Sequence, residues 1–317
     1  MEKSGELRQD HFGLRNQNMT TVGLIGLGAM GSGMASSLRR AGHSVQVFDV
    51  RREVADAFTN AGGTAHDSLA SLGAACNVVV SVVVNAAQTE AVLFGDGTTP
   101  GCAASMKPGS VFVMCSTVDP NWSVALESRL EALGLRYVDA PISGGAAKAA
   151  SGQMTMMTAG KPEAYALAEP FLNAMAAKVY KLGDSAGAGS KVKIINQLLA
   201  GVHIAAAAEA MALGLREGVD PTALYEVITN SAGNSWMFEN RMAHVLAADY
   251  TPLSAVDIFV KDLGIVLDMA RASKFPLPLS STAHQMFMQA STAGFAKEDD
   301  SAVIKIFPGI ELPKAPG

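Results

Sequence analysis

Residues 21–49, TVGLIGLGAMGSGMASSLRRAGHSVQVFD, read as strand, glycine turn, helix and second strand. TVGLIG is a short buried strand, Gly42 stops the helix, and SVQVFD ends at Asp49. Gly26, Gly28 and Gly31 stand in G-x-G-x-x-G spacing: the first makes the tight turn, the second admits a pyrophosphate, and the third lets helix and strand pack closely. Free amides and the dipole at the helix start favour that anion. A bare glycine motif also fits a structural turn. Here it follows a strand, opens a helix and has an acid about twenty residues on, which selects dinucleotide binding by Gly26, Leu27, Gly28, Ala29, Met30, Gly31 and Asp49. A carboxylate at that strand tip accepts the ribose hydroxyls and repels a 2′-phosphate, so the expected cofactor is NAD rather than NADP. Arg51 and Arg52 follow; they either modify this preference or form a solvated helix start.

The strand pattern continues through NVVVSVVV (77–84), VFVMCST (111–117), RYVDAPISGG (136–145), QMTMMTAG (153–160) and KVYKLG (178–183). Polar residues at the carboxyl ends of parallel strands face the ligand crevice, which makes Asn85, Gln88 and Thr117 cofactor candidates; Asn85 and Gln88 fit plain helix caps equally well. Ser143, Gly144 and Gly145 form a small-residue turn, either a nest of amides for a carboxylate or an ordinary loop.

After Gly183 strand patterns stop. Residues 187–218 read as one long helix, apolar almost all round, of the kind that belongs inside a protein. At about 100° per residue with Lys193 at zero, Asn196 falls near 300° and Gln197 near 40°, while Lys191, Glu209 and Arg216 cluster around 140–160°. The latter stripe reads as a solvated edge. The patch of Lys193, Asn196 and Gln197 shares its face with Ile204 and Ala207, and a buried lysine needs partners or a function. Helical patterns follow at 221–230, 235–248, 257–274 and 279–294. The expectation is an α/β fold: a doubly wound Rossmann-type domain at 20–183 and an all-α domain at 184–308, joined by the long shared helix. Residues 1–19 are expected to be a disordered extension, and the proline-rich residues 309–317 a loose tail.

Composition narrows the function. A net charge of −5 with no basic block argues against nucleic acid and anionic membrane as partners. Three widely spaced cysteines fit reduced thiols in a cytoplasmic protein, and metal-ligand spacing is absent, so no metal is expected. Acidic residues near the start argue against a transit peptide, and no transmembrane span is expected.

GLIGLGAMG, DAPISGGAAKAASGQMTMM and GAGSKVKIINQ resemble the three signatures of the β-hydroxyacid, or 3-hydroxyisobutyrate dehydrogenase-like, family over nearly the whole chain. Within it, VVVNAAQTEAVLFG, KIINQLLAGVHIAAAAEAMAL, NSWMFENRMAHVLAADYTPLSAVDIFVKDL and KEDDSAVIKIF are similar to the L-threonate dehydrogenase branch. The resemblance implies a catalytic lysine at Lys193, followed by Asn196, with Lys191 the decoy. It implies substrate contacts at Ser143, Gly144 and Gly145, a cofactor contact at Thr117 and a second cofactor-side lysine at Lys261. Many relatives have Leu-Pro where Val83 and Val84 form the nicotinamide-side wall, and a second asparagine where Gln197 stands.

Oxidising a secondary alcohol requires a base for the hydroxyl proton as hydride leaves for the nicotinamide. Burial lowers a lysine pKa towards that task. Asn196 and Gln197 would hold the lysine or the substrate oxygens, and a larger polyol acid needs further donors, for which Ser235, Trp236, Asn240 and Asp257 are the candidates; Trp236 also fits a packing role. The expected reaction is oxidation of L-threonate to 2-dehydro-L-erythronate. Alternatives are a 3-hydroxyisobutyrate dehydrogenase or tartronate semialdehyde reductase and, in another class, a non-catalytic dinucleotide-binding module. Apolar positions Met286, Phe287, Met288 and Phe295 predict a homo-oligomer, dimer or tetramer, assembled through the helical domain.

Overall fold

The computed structural model describes residues 21–314; the extension expected at 1–19 and the last three residues of the tail lie outside the described residues. Strands and helices alternate from the start: β1 (Val22–Ile25), α1 (Gly31–Arg40), β2 (Val45–Phe48), α2 (Arg52–Asn60), β3 (Thr64–Ala65), α3 (Leu69–Ala75), β4 (Val78–Ser81), α4 (Ala86–Phe94), β5 (Val111–Met114), α5 (Pro120–Ala132) and β6 (Arg136–Asp139). These six strands form one parallel sheet of order β3-β2-β1-β4-β5-β6, so the strand order reverses beside β1. That reversal opens the crevice in which doubly wound folds bind ligands.

Each central strand is apolar on both faces because helices cover both. In β1, Leu24 packs with Met34 and Leu38 of α1, while its neighbour Ile25 packs with Leu72, Phe112 and Leu126 on the other face. The alternation is the period-two geometry of a strand between two cores.

The strand patterns after β6 do not extend this sheet. β7 (Ile142–Ser143), β8 (Met154–Thr158) and β9 (Ala176–Lys181) form a second, three-stranded sheet, with α6 (Gly145–Ser151) and α7 (Pro162–Met175) between them. The chain turns out of the main sheet at Pro141 and Gly144, where φ of +138° admits only glycine readily. The two sheets stay joined by a bridge between Asp139 and Ala159.

From Ala188 the described chain is helical, apart from an isolated bridge between Ala255 and Asp299: α8 (Ala188–Arg216), α9 (Pro221–Thr229), α10 (Trp236–Ala247), α11 (Val256–Ser273), α12 (Pro278–Ala290) and a 3₁₀ segment at Asp300–Ile306. α8 has the length and hydropathy of a membrane span, yet it packs against α10, α11 and α12 as the central helix of a core built on Ile204, Ala208, Met211, Phe259 and Leu263. Gly201 permits the closest approach, since a side chain there would meet Leu263 and Phe259 at about 3 Å. Two expectations need correction. α8 is not enclosed all round, because Val192, Ile195, Leu199 and Leu213 are 40–62% exposed along one side. Phe287 is fully buried, stacked on Phe259 at 5.1 Å, so it offers no surface to a partner, and Met286 and Phe295 are half-buried. Helical periodicity finds an apolar face but does not tell which of two apolar faces turns inward.

Candidate functional site

The carboxyl ends of β1, β4 and β5 meet the first turns of α8 and the facing sides of α10 and α11 in a cleft of about 620 Å³. The glycine turn is built as a cradle. Gly26 has φ of +92°, a Cβ at Gly31 would run into the Gly26 carbonyl, and nothing lies within 4 Å of the position a Cβ on Gly28 would take. Backbone is therefore bare where a pyrophosphate must approach. Asp49 stands at the tip of β2, accepting the Leu27 amide at 2.6 Å and the Arg51 amide at 2.8 Å. Burial raises its pKa, but those amides and the Arg51 guanidinium outweigh burial and hold the carboxyl below the usual range. The residues fit a dinucleotide. Arg51 pairs with Asp49 at 3.3 Å, whereas Arg52 turns to Asp56 and Asp67 on the surface.

Across the cleft, Lys193 is 7% exposed, as the helical register predicts, while Lys191 lies on the exposed side. Lys193 Nζ donates to Gln197 Oε1 at 2.8 Å, and Gln197 Nε2 donates to Asp262 Oδ2 at 2.6 Å. An ammonium only donates and a carboxylate only accepts, so the two ends fix the orientation of the Gln197 amide between them. Asn196 donates to the same Gln197 oxygen at 3.0 Å. Gln197, one helical turn from Lys193, thus holds the amine, and its side chain is committed to the protein. Burial pulls the Lys193 pKa down to about 8, with the Asp262 charge opposing and the Lys261 charge adding to the shift. Lys261 pairs with Asp262 at 2.6 Å and donates to the Thr117 carbonyl at 3.2 Å, tying α11 to the end of β5.

Most expected site residues gather here. Gly28 to Gly31, Val83, Val84, Thr117, Ser143 to Gly145, Lys193, Asn196, Gln197, Trp236, Asn240 and Lys261 all line the cleft. Trp236 is half-exposed on the cleft wall and not a packing residue. Four candidates are occupied elsewhere. The Asn85 side chain accepts the Gln88 amide and Gln88 Oε1 accepts the Val84 amide, a reciprocal cap on α4. Ser235 caps α10 through the Phe238 amide, and exposed Asp257 accepts the Ser291 hydroxyl. None of these four lines the cleft: Asn85, Gln88 and Ser235 are taken by free amides beside a helix start, and Asp257 by a hydroxyl on the surface.

Sequence reasoning missed Asp262, Arg241 and Lys148. Asp262 is 1% exposed, and its charge partly offsets the effect of burial on Lys193. Arg241 reaches the cleft while paired with buried Asp300, whose Oδ2 accepts Nη2 at 3.1 Å. The only signal for either was a charged residue at a buried position of an amphipathic helix.

Residues 21–183 match the family of the NAD binding domain of 6-phosphogluconate dehydrogenase, and residues 187–307 the family described as NAD-binding of NADP-dependent 3-hydroxyisobutyrate dehydrogenase. The L-threonate dehydrogenase of Cupriavidus necator is 68% identical over 292 residues, covering 92% of this chain and 97% of that protein. That of Escherichia coli is 52% identical, covering 93% and 97%. A crystal structure described as 3-hydroxyisobutyrate dehydrogenase from Salmonella typhimurium superimposes with a TM-score of 0.87 at 52% identity, covering 91% of this chain and all of that one.

Proposed function

Because the chain belongs to the 3-hydroxyisobutyrate dehydrogenase-like family of β-hydroxyacid dehydrogenases, we propose that it oxidises L-threonate to 2-dehydro-L-erythronate with NAD and that Lys193 is its acid/base. The carrying observation is the buried Lys193 amine, held by Gln197 in a cleft that also contains the glycine cradle. A nicotinamide dinucleotide, when bound, supplies the hydride acceptor. Lys193 Nζ, neutral above about pH 8, takes the proton of the reacting hydroxyl, and the resulting ammonium is held by Gln197 Oε1 with the Asp262 carboxylate behind it. In the reverse direction the same ammonium returns the proton. Asp49 selects NAD over NADP, and the Ser143–Gly145 turn receives the carboxylate.

The Salmonella relative supports a second reading, a 3-hydroxyisobutyrate dehydrogenase. An NADH absorbance screen over L-threonate, 3-hydroxyisobutyrate and the three-carbon hydroxy acids separates the two: the first reading requires kcat/KM for L-threonate to exceed the others, and a preference for 3-hydroxyisobutyrate overturns it. We further infer a homo-oligomer joined through the exposed Val192, Ile195 and Leu199 stripe of α8; light scattering showing a monomer at micromolar concentration would oppose it. A cytoplasmic location is supported by three free, buried cysteines whose thiols burial pushes up to about 12, leaving them unreactive.

A further inference from the structure

Four cations line the cleft: Lys148, Lys193, Arg241 and Lys261. Three are matched. Arg241 is paired with Asp300, Lys261 with Asp262, and Lys193 is hydrogen-bonded to Gln197. Lys148 is exposed at the mouth of the cleft, and its Nζ has no ion pair or hydrogen bond among the described residues; the ring of Trp236 lies 6.0 Å from Nζ to the centroid. Lys148 is thus the one cation lining the cleft whose charge no described residue meets, and its exposure leaves it within reach of a ligand that enters.

Its arm is also placed. α6 begins at the Ser143–Gly145 turn, and Lys148 lies back across Gly144: a side chain at Gly144 would meet Lys148 Cβ and Cδ at 3.0 Å. The absence of a side chain at Gly144 therefore makes room for the lysine stem, which carries the ammonium towards Trp236 of the helical half of the cleft. An exposed, unpaired cation beside an amide-bearing turn and an aromatic ring is suited to an anionic group on a small ligand.

We propose that Lys148 binds the substrate carboxylate, with Trp236 steadying the ammonium, so that this residue restricts the enzyme to acids. The proposal rests on the hydroxy-acid reading above and names the group that recognises the acid. The alternative anion within reach of the same chemistry is a phosphate of the dinucleotide.

The test compares wild type, Lys148→Met, which keeps the arm without the charge, and Lys148→Arg, which keeps the charge. L-Threonate and its uncharged amide are the paired substrates, and NADH fluorescence titration reads cofactor affinity. A charge-assisted hydrogen bond of this kind is worth roughly tenfold to a hundredfold in affinity. Lys148→Met is expected to raise KM for L-threonate by about that factor, to change kcat little and to lose most of the preference for acid over amide. Lys148→Arg should recover most of the loss, and NADH should bind all three alike. An unchanged KM in Lys148→Met overturns the proposal; so does a loss of NADH affinity, which assigns the charge to the dinucleotide, and so does failure of Lys148→Arg to recover. Wild type inactive on L-threonate counts against the substrate reading alone, and the acid-to-amide ratio is then taken on whichever hydroxy acid the screen identifies.

Discussion

Gln197 Oε1 lies 2.8 Å from Lys193 Nζ, and the other end of the same amide is fastened to Asp262. The amine is therefore oriented by a neutral group, and the carboxylate that would otherwise pair with it acts one residue removed. A direct ion pair would hold the lysine protonated, whereas this arrangement leaves it free to lose its proton near neutrality.

Lys193→Ala removes the proposed proton carrier and should reduce kcat for L-threonate oxidation by about 100 to 10,000-fold while NADH still binds. Lys191→Ala, on the exposed side of the same turn, should retain both. Steady-state rates and NADH titration on the two variants read this directly; a dead Lys191→Ala with a live Lys193→Ala would show that the helix register is misassigned.

The pH dependence has a definite sign. Burial depresses the Lys193 pKa to about 8, so oxidation, which needs the free amine, should rise with pH and level off above that value. Reduction, which needs the ammonium, should fall through the same range. The Asp262 charge raises this pKa and the Lys261 charge lowers it, so Asp262→Asn should move the midpoint to lower pH and Lys261→Met to higher pH. Profiles of kcat/KM for the three proteins decide it, and a midpoint that moves up in Asp262→Asn would remove Asp262 from this role.

Asp49→Asn should weaken NAD and improve NADP relative to it by roughly tenfold to a hundredfold, the scale of a charged hydrogen bond. Arg51, now held by Asp49, is freed to meet a 2′-phosphate. Arg51→Ala added to Asp49→Asn should therefore cancel the gain, measured as the ratio of kcat/KM for the two cofactors.

Gly33 of α1 faces the backbone of α6, where a Cβ would come within 2.6 Å of the Ala150 nitrogen. Gly33→Ala should cost about 1–3 kcal/mol of stability, since backbone and not a flexible side chain must yield. A lower melting temperature accompanied by a raised KM for the acid would show that the displacement reaches the Ser143–Gly145 turn.

The glycine turn and the polar face of α8 were legible because both depend on local spacing, and the starts of α9 and α10 follow from the side-chain caps Asp220 and Ser235, whereas α10 and α11 end on left-handed Ala248 and Lys274, which no glycine marks. Other features were not. β7 to β9 look like continuing strands, but the chain leaves the main sheet at Pro141, ahead of β7, and the three pair with one another instead. Lys148 sits in an AAKAA run that reads as a solvated helix, and Asp262 follows a lysine as surface charges commonly do. Their significance comes from partners such as Trp236, 88 residues from Lys148, and Gln197, 65 residues from Asp262.

At the junction of the two halves, buried Asp139 at the end of β6 accepts the Gly187 and Ser190 amides, both at 2.9 Å, and the Ser190 hydroxyl at 2.7 Å. The first turn of α8 is thereby riveted to the nucleotide-binding sheet, and Lys193 follows within one turn. Lys193 consequently keeps station with the cofactor cradle, while Asp262 and Lys261 stand on α11, the helix packed beside α8. Because α11 packs along α8 and Asp262 is fastened to Gln197, the amine and the two charges that tune it stay together, and Lys261 anchors the same helix to the Thr117 carbonyl, so the proton site is held from both walls of the cleft.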